Sequence, residues 1–303
     1  WGESTLVPNG INSLLALDAA HLRTPGFEVD ELFIPQGMVR IGVDLIDNVS
    51  LEAFYQYDWR RTQADPSGTY FATNDFAAIG GDGAEIGFGR CGENTPPPSA
   101  NPACPGGSSA TRQADNTPAD DKQGGIAIRT SLPILNEINL GFYAAHYHSR
   151  LPLISGKAAT TIGVSATAGY LIEYPENIKL YGVSFNTTTF WGMGIQGEYS
   201  YKRNQPLQVD DVELLVAGLR AFSSQVGAYG AGEYIRGWRR HDVSQVDMSL
   251  TKILNPRFLG IDEVVLLGEV AGMHIHDLPP TSELRYEGPG TFTPGDAALA
   301  TAN

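Results

Sequence analysis

The feature that most constrains this chain is a two-residue alternation of apolar and polar side chains. In residues 49–60, Val49, Leu51, Ala53, Tyr55, Tyr57 and Trp59 share one face, while Ser50, Glu52, Phe54, Gln56, Asp58 and Arg60 share the other. An extended strand forces this split, because successive side chains point to opposite sides. Residues 38–45 repeat it, with Val39, Ile41, Val43 and Leu45 opposite Arg40, Gly42 and Asp44. The link Ile46-Asp47-Asn48 reads as a tight hairpin. Residues 189–202 place Trp191, Met193, Ile195, Tyr199 and Tyr201 against Gly192, Gly194, Gln196, Glu198, Ser200 and Lys202. Weaker candidates at 125–132, 137–148, 178–186, 243–254 and 263–273 bring the expected total to eight strands. A face carrying ions and glycines suits a wet lumen better than a packed core.

The connections sharpen the expectation. Short links follow Leu45, Leu132, Asn186 and Leu254, and long ones follow Arg60, His148, Lys202 and Met273. Such strict alternation is the asymmetry of an outer-membrane barrel, with short periplasmic turns and long extracellular loops. The expected fold is therefore all-β: an antiparallel transmembrane β-barrel of outer-membrane type, with short helices on the long loops. Composition agrees. No window of 18 apolar residues exists, so no membrane-spanning helix is expected. A net charge of -14 argues against binding nucleic acid. The 13 Tyr, 12 Phe and 4 Trp argue against disorder.

The loop at 61–123 is rich in Gly, Pro, Ser, Asn and Asp, and it holds both cysteines, Cys91 and Cys104. No CxxC motif is present, so a structural disulfide is favoured over a metal or redox role. Oxidising conditions at a cell surface would permit the bridge, and closing a loop of this size contributes roughly 3 kcal/mol. Residues 210–223 read as a helix, with Val212, Leu215, Leu219 and Phe222 at helical spacing and Asp210 or Asp211 as cap. Residues 13–22 are a shorter candidate. Packing over the barrel rim is the favoured reading of both, and folding into the mouth as a gate is the alternative.

Phrases spread along the chain carry a family resemblance. They include Trp1-Gly2-Glu3-Ser4-Thr5, Asn9-Gly10-Ile11-Asn12, Leu51-Glu52-Ala53-Phe54-Tyr55-Gln56-Tyr57 and Gly68-Thr69-Tyr70-Phe71. Further ones are Tyr147-His148-Ser149-Arg150-Leu151-Pro152, Tyr174-Pro175-Glu176-Asn177-Ile178 and Tyr181-Gly182-Val183-Ser184-Phe185-Asn186-Thr187. Together they make the chain resemble, from residue 1 to about Leu278, the proteobacterial outer-membrane family catalogued as domain of unknown function number thirteen hundred and two. The resemblance implies a large single barrel in the bacterial outer membrane. It implies use of hydrophobic carbon sources such as sterols, terpenes or hydrocarbons. The partners it implies are outer-membrane lipid and lipopolysaccharide, a small hydrophobic solute, a periplasmic lipid-sorting-like protein and an efflux-type transporter. The family supplies no catalytic residues to carry over.

The residues themselves add little catalytic signal. No phosphate-binding glycine loop, zinc-type His/Glu helix or Gly-x-Ser-x-Gly elbow appears. Neither enzymatic activity nor a cofactor is expected. The pairs His146/His148 and His274/His276 are weak metal candidates, since positions i and i+2 of a strand share a side. Their phase follows the apolar face, so packing at the membrane interface is favoured. Outward Tyr and Trp fit the aromatic girdles of a membrane barrel. The lumen-facing candidates are Arg40, Asp44, Glu52, Phe54, Gln56, Asp58, Arg60, Gln196, Glu198 and Lys202. Cross-strand bracing of the wall is their favoured role, and a selectivity constriction is the alternative.

The expected function is passive passage or uptake of small hydrophobic organic molecules across the outer membrane. The alternatives are a non-conducting dock for a periplasmic lipid-transfer or efflux system and, less favoured, a secreted soluble β-rich binding protein. Residues 1–303 are expected to form a single barrel domain, with 61–123 as a loop insertion. The chain opens on Trp1, and both ends fall on the long-loop side. It is therefore expected to be an internal arc of a larger barrel.

Overall fold

The computed structural model describes residues 1–3, 5–26, 28–72, 75–86, 109–134, 136–255 and 262–287. It is an all-β structure of two sheets. Its strands are β1 Met38–Ile46, β2 Val49–Gln56, β3 Gly83–Glu85, β4 Ser109–Arg112, β5 Gln123–Leu132, β6 Ile138–Tyr147, β7 Leu153–Lys157, β8 Gly169–Glu173, β9 Ile178–Thr188, β10 Met193–Gln208, β11 Tyr234–Ile235, β12 Trp238–Leu254 and β13 Val264–Ile275. One α-helix, α1 Asp211–Leu219, joins them. No helix among the described residues is long and apolar enough to cross a membrane.

The large sheet has the order β1-β2-β5-β6-β9-β10-β12-β13, and every neighbouring pair is antiparallel. Its eight strands are the eight that the alternation marks. Sequence neighbours lie side by side throughout, so the sheet is a meander. Hairpin turns at one end are short; in the first, Asn48 takes the left-handed conformation (φ 65°) that a two-residue turn demands. At the other end the chain leaves for 66, 30 and 29 residues, spanning 57–122, 148–177 and 209–237. Among the described residues the edge strands β1 and β13 do not pair with each other, and the sheet is open.

Those long connections build the second sheet, in the order β11-β7-β8-β4-β3, with β4 and β8 parallel. Its strands are only two to five residues long. Helix α1 packs against β7 and β11 through Leu214 and Ala217, which cluster with Ile235 and Ala158. Asp210 caps it by accepting from the Val212 and Glu213 amides. Glu173 ties the module together. It is buried, and it accepts from Ser155 Oγ, from Tyr234 Oη at 2.5 Å and from Asn116 Nδ2 and Trp238 Nε1 at 2.9 Å. Burial pushes this carboxyl up, but the four donors outweigh burial and hold it below the usual range. Gln208 stitches the two sheets, since it accepts from the Ile154 amide and donates to the Ile154 and Gly237 carbonyls.

Two expectations change, and a third lies outside the described residues. Residues 13–22 form no helix beyond the 3-10 turn Ala19–Arg23. Their backbone is committed elsewhere: Ala16 O accepts from Ile34 N, and Leu17 O accepts from Gln63 N. Strand β2 ends at Gln56, so the alternation does not carry on to residue 60. Trp59 accordingly faces inward: it is buried, donates to Ser149 O and meets the Tyr174 ring at 4.8 Å. Cys91 and Cys104, with the disulfide expected of them, lie outside the described residues.

Candidate functional site

In the large sheet burial runs opposite to a water-soluble fold. Along β12, Val246 is 52% exposed and its neighbour Asp247 1% exposed. Exposed apolar and buried inward side chains alternate likewise in the inner strands β2, β5, β6, β9 and β10, whereas the edge strands β1 and β13 are exposed on both faces. Ile126, Ile128, Phe142, Tyr181, Val183, Met248 and Leu250 point into the surroundings. Glu52, Gln56, Gln123, Ser184, Glu198, Ser200, Lys202, Gln245 and Ser249 are buried on the opposite face. Contiguous exposed apolar area on this scale marks contact with another apolar phase or partner.

What buries the polar face is the segment of residues 1–17. Trp1 Nε1 donates to Glu52 Oε1 at 2.6 Å, and its ring meets Phe54 edge-on at 4.6 Å. Glu198 accepts from the amides of Glu3 at 2.9 Å and Ile11 at 2.7 Å. Lys202 Nζ donates to Asn9 O, and Gln245 donates to Pro8 O at 3.1 Å. On β13, Glu269 accepts from the Leu6 and Val7 amides. The Glu3 carboxylate in turn takes Ser184 Oγ and Asn186 Nδ2. The strand side chains thus supply the partners that irregular backbone needs when it leaves water.

Glycines on both sides make the fit. A Cβ at Gly125 would sit 2.7 Å from the Trp1 ring, and one at Gly182 would sit 2.6 Å from Ile11. A side chain at Gly10 would run into the Glu198 carboxylate. The seat has an apolar centre, where Ile11 and Leu14 pack with Ala127, Tyr143, Ala145, Tyr147, Ile178 and Leu180. Beside Trp1 lies a cavity of about 430 Å³ lined by Leu14, Phe33, Met38 and Phe54 with Arg40 and Glu52. Toward the short turns a polar cavity of about 750 Å³ opens between Glu3, Asp44, Ser50, Asn139 and Asn186.

The sequence-marked residues divide into three groups. Arg40, Glu52, Phe54, Gln56, Glu198 and Lys202 all meet on the covered face, and Glu52 takes Arg40 at 2.6 Å and Arg129 at 3.0 Å. Gln196 and Asp44 share that face nearer the short turns, Asp44 in the open cavity. Asp58 and Arg60 do not belong to it. They lie past the end of β2 and pair with each other at 3.0 Å, Asp58 also accepting from the Gly37 amide. Sequence reasoning missed Arg129, Tyr143, Gln245, Asp247 and the covering segment itself. The usable signals were Gly125 and Gly182 on the inward side of otherwise large-residue strands.

His146 and His148 are occupied in backbone contacts. His148 lies beyond the end of β6 and is fully buried. Its Nδ1 accepts from the Asn177 amide, so its Nε2 donates to Asp121 O at 3.1 Å. Burial lowers its pKa, which keeps the ring neutral. This corrects the expectation of an interfacial, apolar-side position for His148. His146 Nδ1 meets Lys122 O at 2.7 Å. On β13 the His274 and His276 rings meet edge-on at 4.7 Å, and His276 Nε2 contacts Ser244 Oγ. Among the described residues the one cluster with metal-ligand spacing is Asp210, Asp211 and Glu287, where Asp210 already caps α1.

A family model matches residues 1–302. The chain belongs to the family described as Protein of unknown function (DUF1302). Searches of curated proteins and of solved structures returned no match. Several phrases that carry the resemblance fall on the contacts above: Trp1-Gly2-Glu3 and Asn9-Gly10-Ile11 form the covering segment, and Tyr181-Gly182-Val183-Ser184 is part of its seat. The phrase Tyr147-His148-Ser149-Arg150 closes the long-loop end, where Arg150 donates to Gln56 Oε1 at 2.8 Å.

Proposed function

We propose that this chain is the wall of an outer-membrane channel for small, largely hydrophobic organic molecules, closed at rest by residues 1–17. The observation that carries the reading is the inverted burial of the large sheet. An apolar face exposed over eight antiparallel strands is what a lipid-facing wall requires. Seven of the eight strands have 9 to 17 residues, enough to cross a bilayer when about 9–11 tilted residues suffice, and β2 has eight. Outward rings gather at both ends: Phe190 and Trp191 by a short turn, Tyr55, Tyr57, Tyr181 and Tyr199 toward the long connections. In this reading the sheet belongs to a barrel whose lumen is the polar face.

The lumen reading is supported by the character of the seat. Ser200 Oγ, Gln245 Oε1 and Ser249 Oγ are buried without a protein partner among the described residues, as groups that take water in a lumen would be. A segment held largely by polar contacts over partly unsatisfied groups is suited to leave and return. The cavity beside Trp1 sets the Phe33 and Phe54 rings next to the Arg40–Glu52–Arg129 ion pairs, which suits a ring-bearing solute. The many contacts that hold residues 1–17 also favour a second reading, in which the barrel stays shut and serves as a dock for a periplasmic transfer system.

Reconstitution of the full protein separates the two. Gly10→Val and Gly182→Leu each crowd the seat. They are expected to raise both single-channel conductance and entry of a naphthalene-sized solute into proteoliposomes. Correctly folded variants that conduct no more than the wild type would reject the channel and favour the dock.

A further inference from the structure

A second cavity lies outside the covered face, between the small sheet and α1. It encloses about 260 Å³, and Phe76, Ile86, Ile154, Tyr170, Leu215 and Leu219 are among its lining. Its walls come from four separate stretches of chain, so only the folded long connections create it. The lining is almost wholly apolar. The one buried hydroxyl there, Tyr170 Oη, already donates to Phe76 O at 2.8 Å, and burial pushes its pKa up to about 12. Asp211 stands exposed at the rim.

Gly218 marks where α1 leaves this space open. It is a buried residue within α1, where glycine costs roughly 1 kcal/mol relative to alanine. Close packing does not explain it, because a Cβ built there meets no atom within 4 Å. The contrast is Gly156 on the same wall, whose Cβ would press on Leu214 at 3.3 Å. The helix therefore leaves a gap over Gly218 and fills the rest of its contact surface with Leu214, Ala217 and Leu219.

We propose that this cavity binds a small, uncharged, compact apolar molecule of one or two rings. Charge is disfavoured, because among the described lining residues the polar side chains are Tyr170, already paired, and Asp211 at the exposed rim, and an unpaired buried charge is costly. The size follows from the volume, which falls just below the roughly 300–1,000 Å³ that enclose drug-sized ligands. Aromatic edges from Phe76 and Tyr170, whose rings meet at 5.9 Å, suit a flat ring. The role of the cavity as a capture site ahead of the membrane passage rests on the channel reading above; the binding itself does not.

The test uses the full protein in nanodiscs and 1-fluoronaphthalene as probe, followed by fluorine NMR, with empty nanodiscs as the partition background. Wild type is expected to show saturable binding above that background. Gly218→Phe and Ala84→Leu both fill the cavity and are expected to weaken binding about tenfold or more, while Gly218→Ala stays within about twofold. Heat-modifiable gel mobility identifies the folded variants, and either filled variant alone carries the test. Wild type indistinguishable from empty discs, or filled variants that bind as wild type does, would overturn the proposal. Passage of the probe into proteoliposomes without saturable binding would reject this site and leave the channel intact. Saturable binding without passage would do the reverse.

Discussion

The two sheets of this molecule obey opposite rules. The small sheet hides Trp59, Tyr170, Ile172 and Tyr174 in a common core, and the polar groups it buries, Glu173 and Ser155, are bonded to each other. The large sheet exposes Val246, Met248 and Leu250 and hides Gln245, Asp247 and Ser249. Both are built of β-strands, so secondary structure alone does not separate them. The difference lies in which face finds protein to cover it. The small sheet is covered by α1 and by its own connections, the large one by residues 1–17 on its polar side only. In the channel proposed above, the small sheet would stand in water and the large one against lipid.

The largest expected effect follows directly. Val246→Arg sets a charge on the outward face in the middle of β12. It should cost about 2–4 kcal/mol in a lipid bilayer, whereas Ala114→Arg beside the small sheet should cost no more than about 0.5 kcal/mol. Denaturant unfolding of both variants in liposomes measures the gap. Equal costs would mean that the large sheet does not face lipid.

Glu173 sharpens the comparison from the other side. Glu173→Ala strands the Tyr234, Trp238, Asn116 and Ser155 donors and should destabilise the small sheet by about 3 kcal/mol. The large sheet, joined to it chiefly through Gln208, should hold. Limited proteolysis, cutting first in residues 148–177 and 209–237, is the readout. A smaller effect is expected with pH. The folded Glu173 carboxyl lies below its unfolded value of about 4.3, so its contribution is complete above that value. It is lost as pH falls through the depressed folded value. Protection of the small sheet should therefore decline in acid in the wild type but much less in Glu173→Gln.

The same contrast explains what could be read from the sequence. All eight long strands were visible, because the alternation is sustained over whole strands with ions on one side. The small sheet was not, because strands of two to five residues carry no period and the β4–β8 pair joins residues far apart in sequence. Trp59 was misplaced because alternation cannot announce that β2 stops at Gln56. The covering segment was hidden for another reason. Its bonds run from its own backbone to strand side chains, as at Glu198 and Glu269, and backbone amides leave no mark in a sequence. Gly2, Gly10, Gly125 and Gly182 were its trace, and their meaning emerges only when the two surfaces meet.

The central claim is that the apolar face of the large sheet meets lipid and the polar face meets a covered aqueous passage. Spin labels placed singly along β12 of the lipid-reconstituted protein, in a background lacking Cys91 and Cys104, test it most directly. At positions 246, 248 and 250 the account predicts collision with oxygen and protection from a water-soluble nickel reagent. At 245, 247 and 249 it predicts low access to both, with nickel access rising when Gly10→Val unseats residues 1–17. Free access of the nickel reagent at 246, 248 and 250 would contradict it.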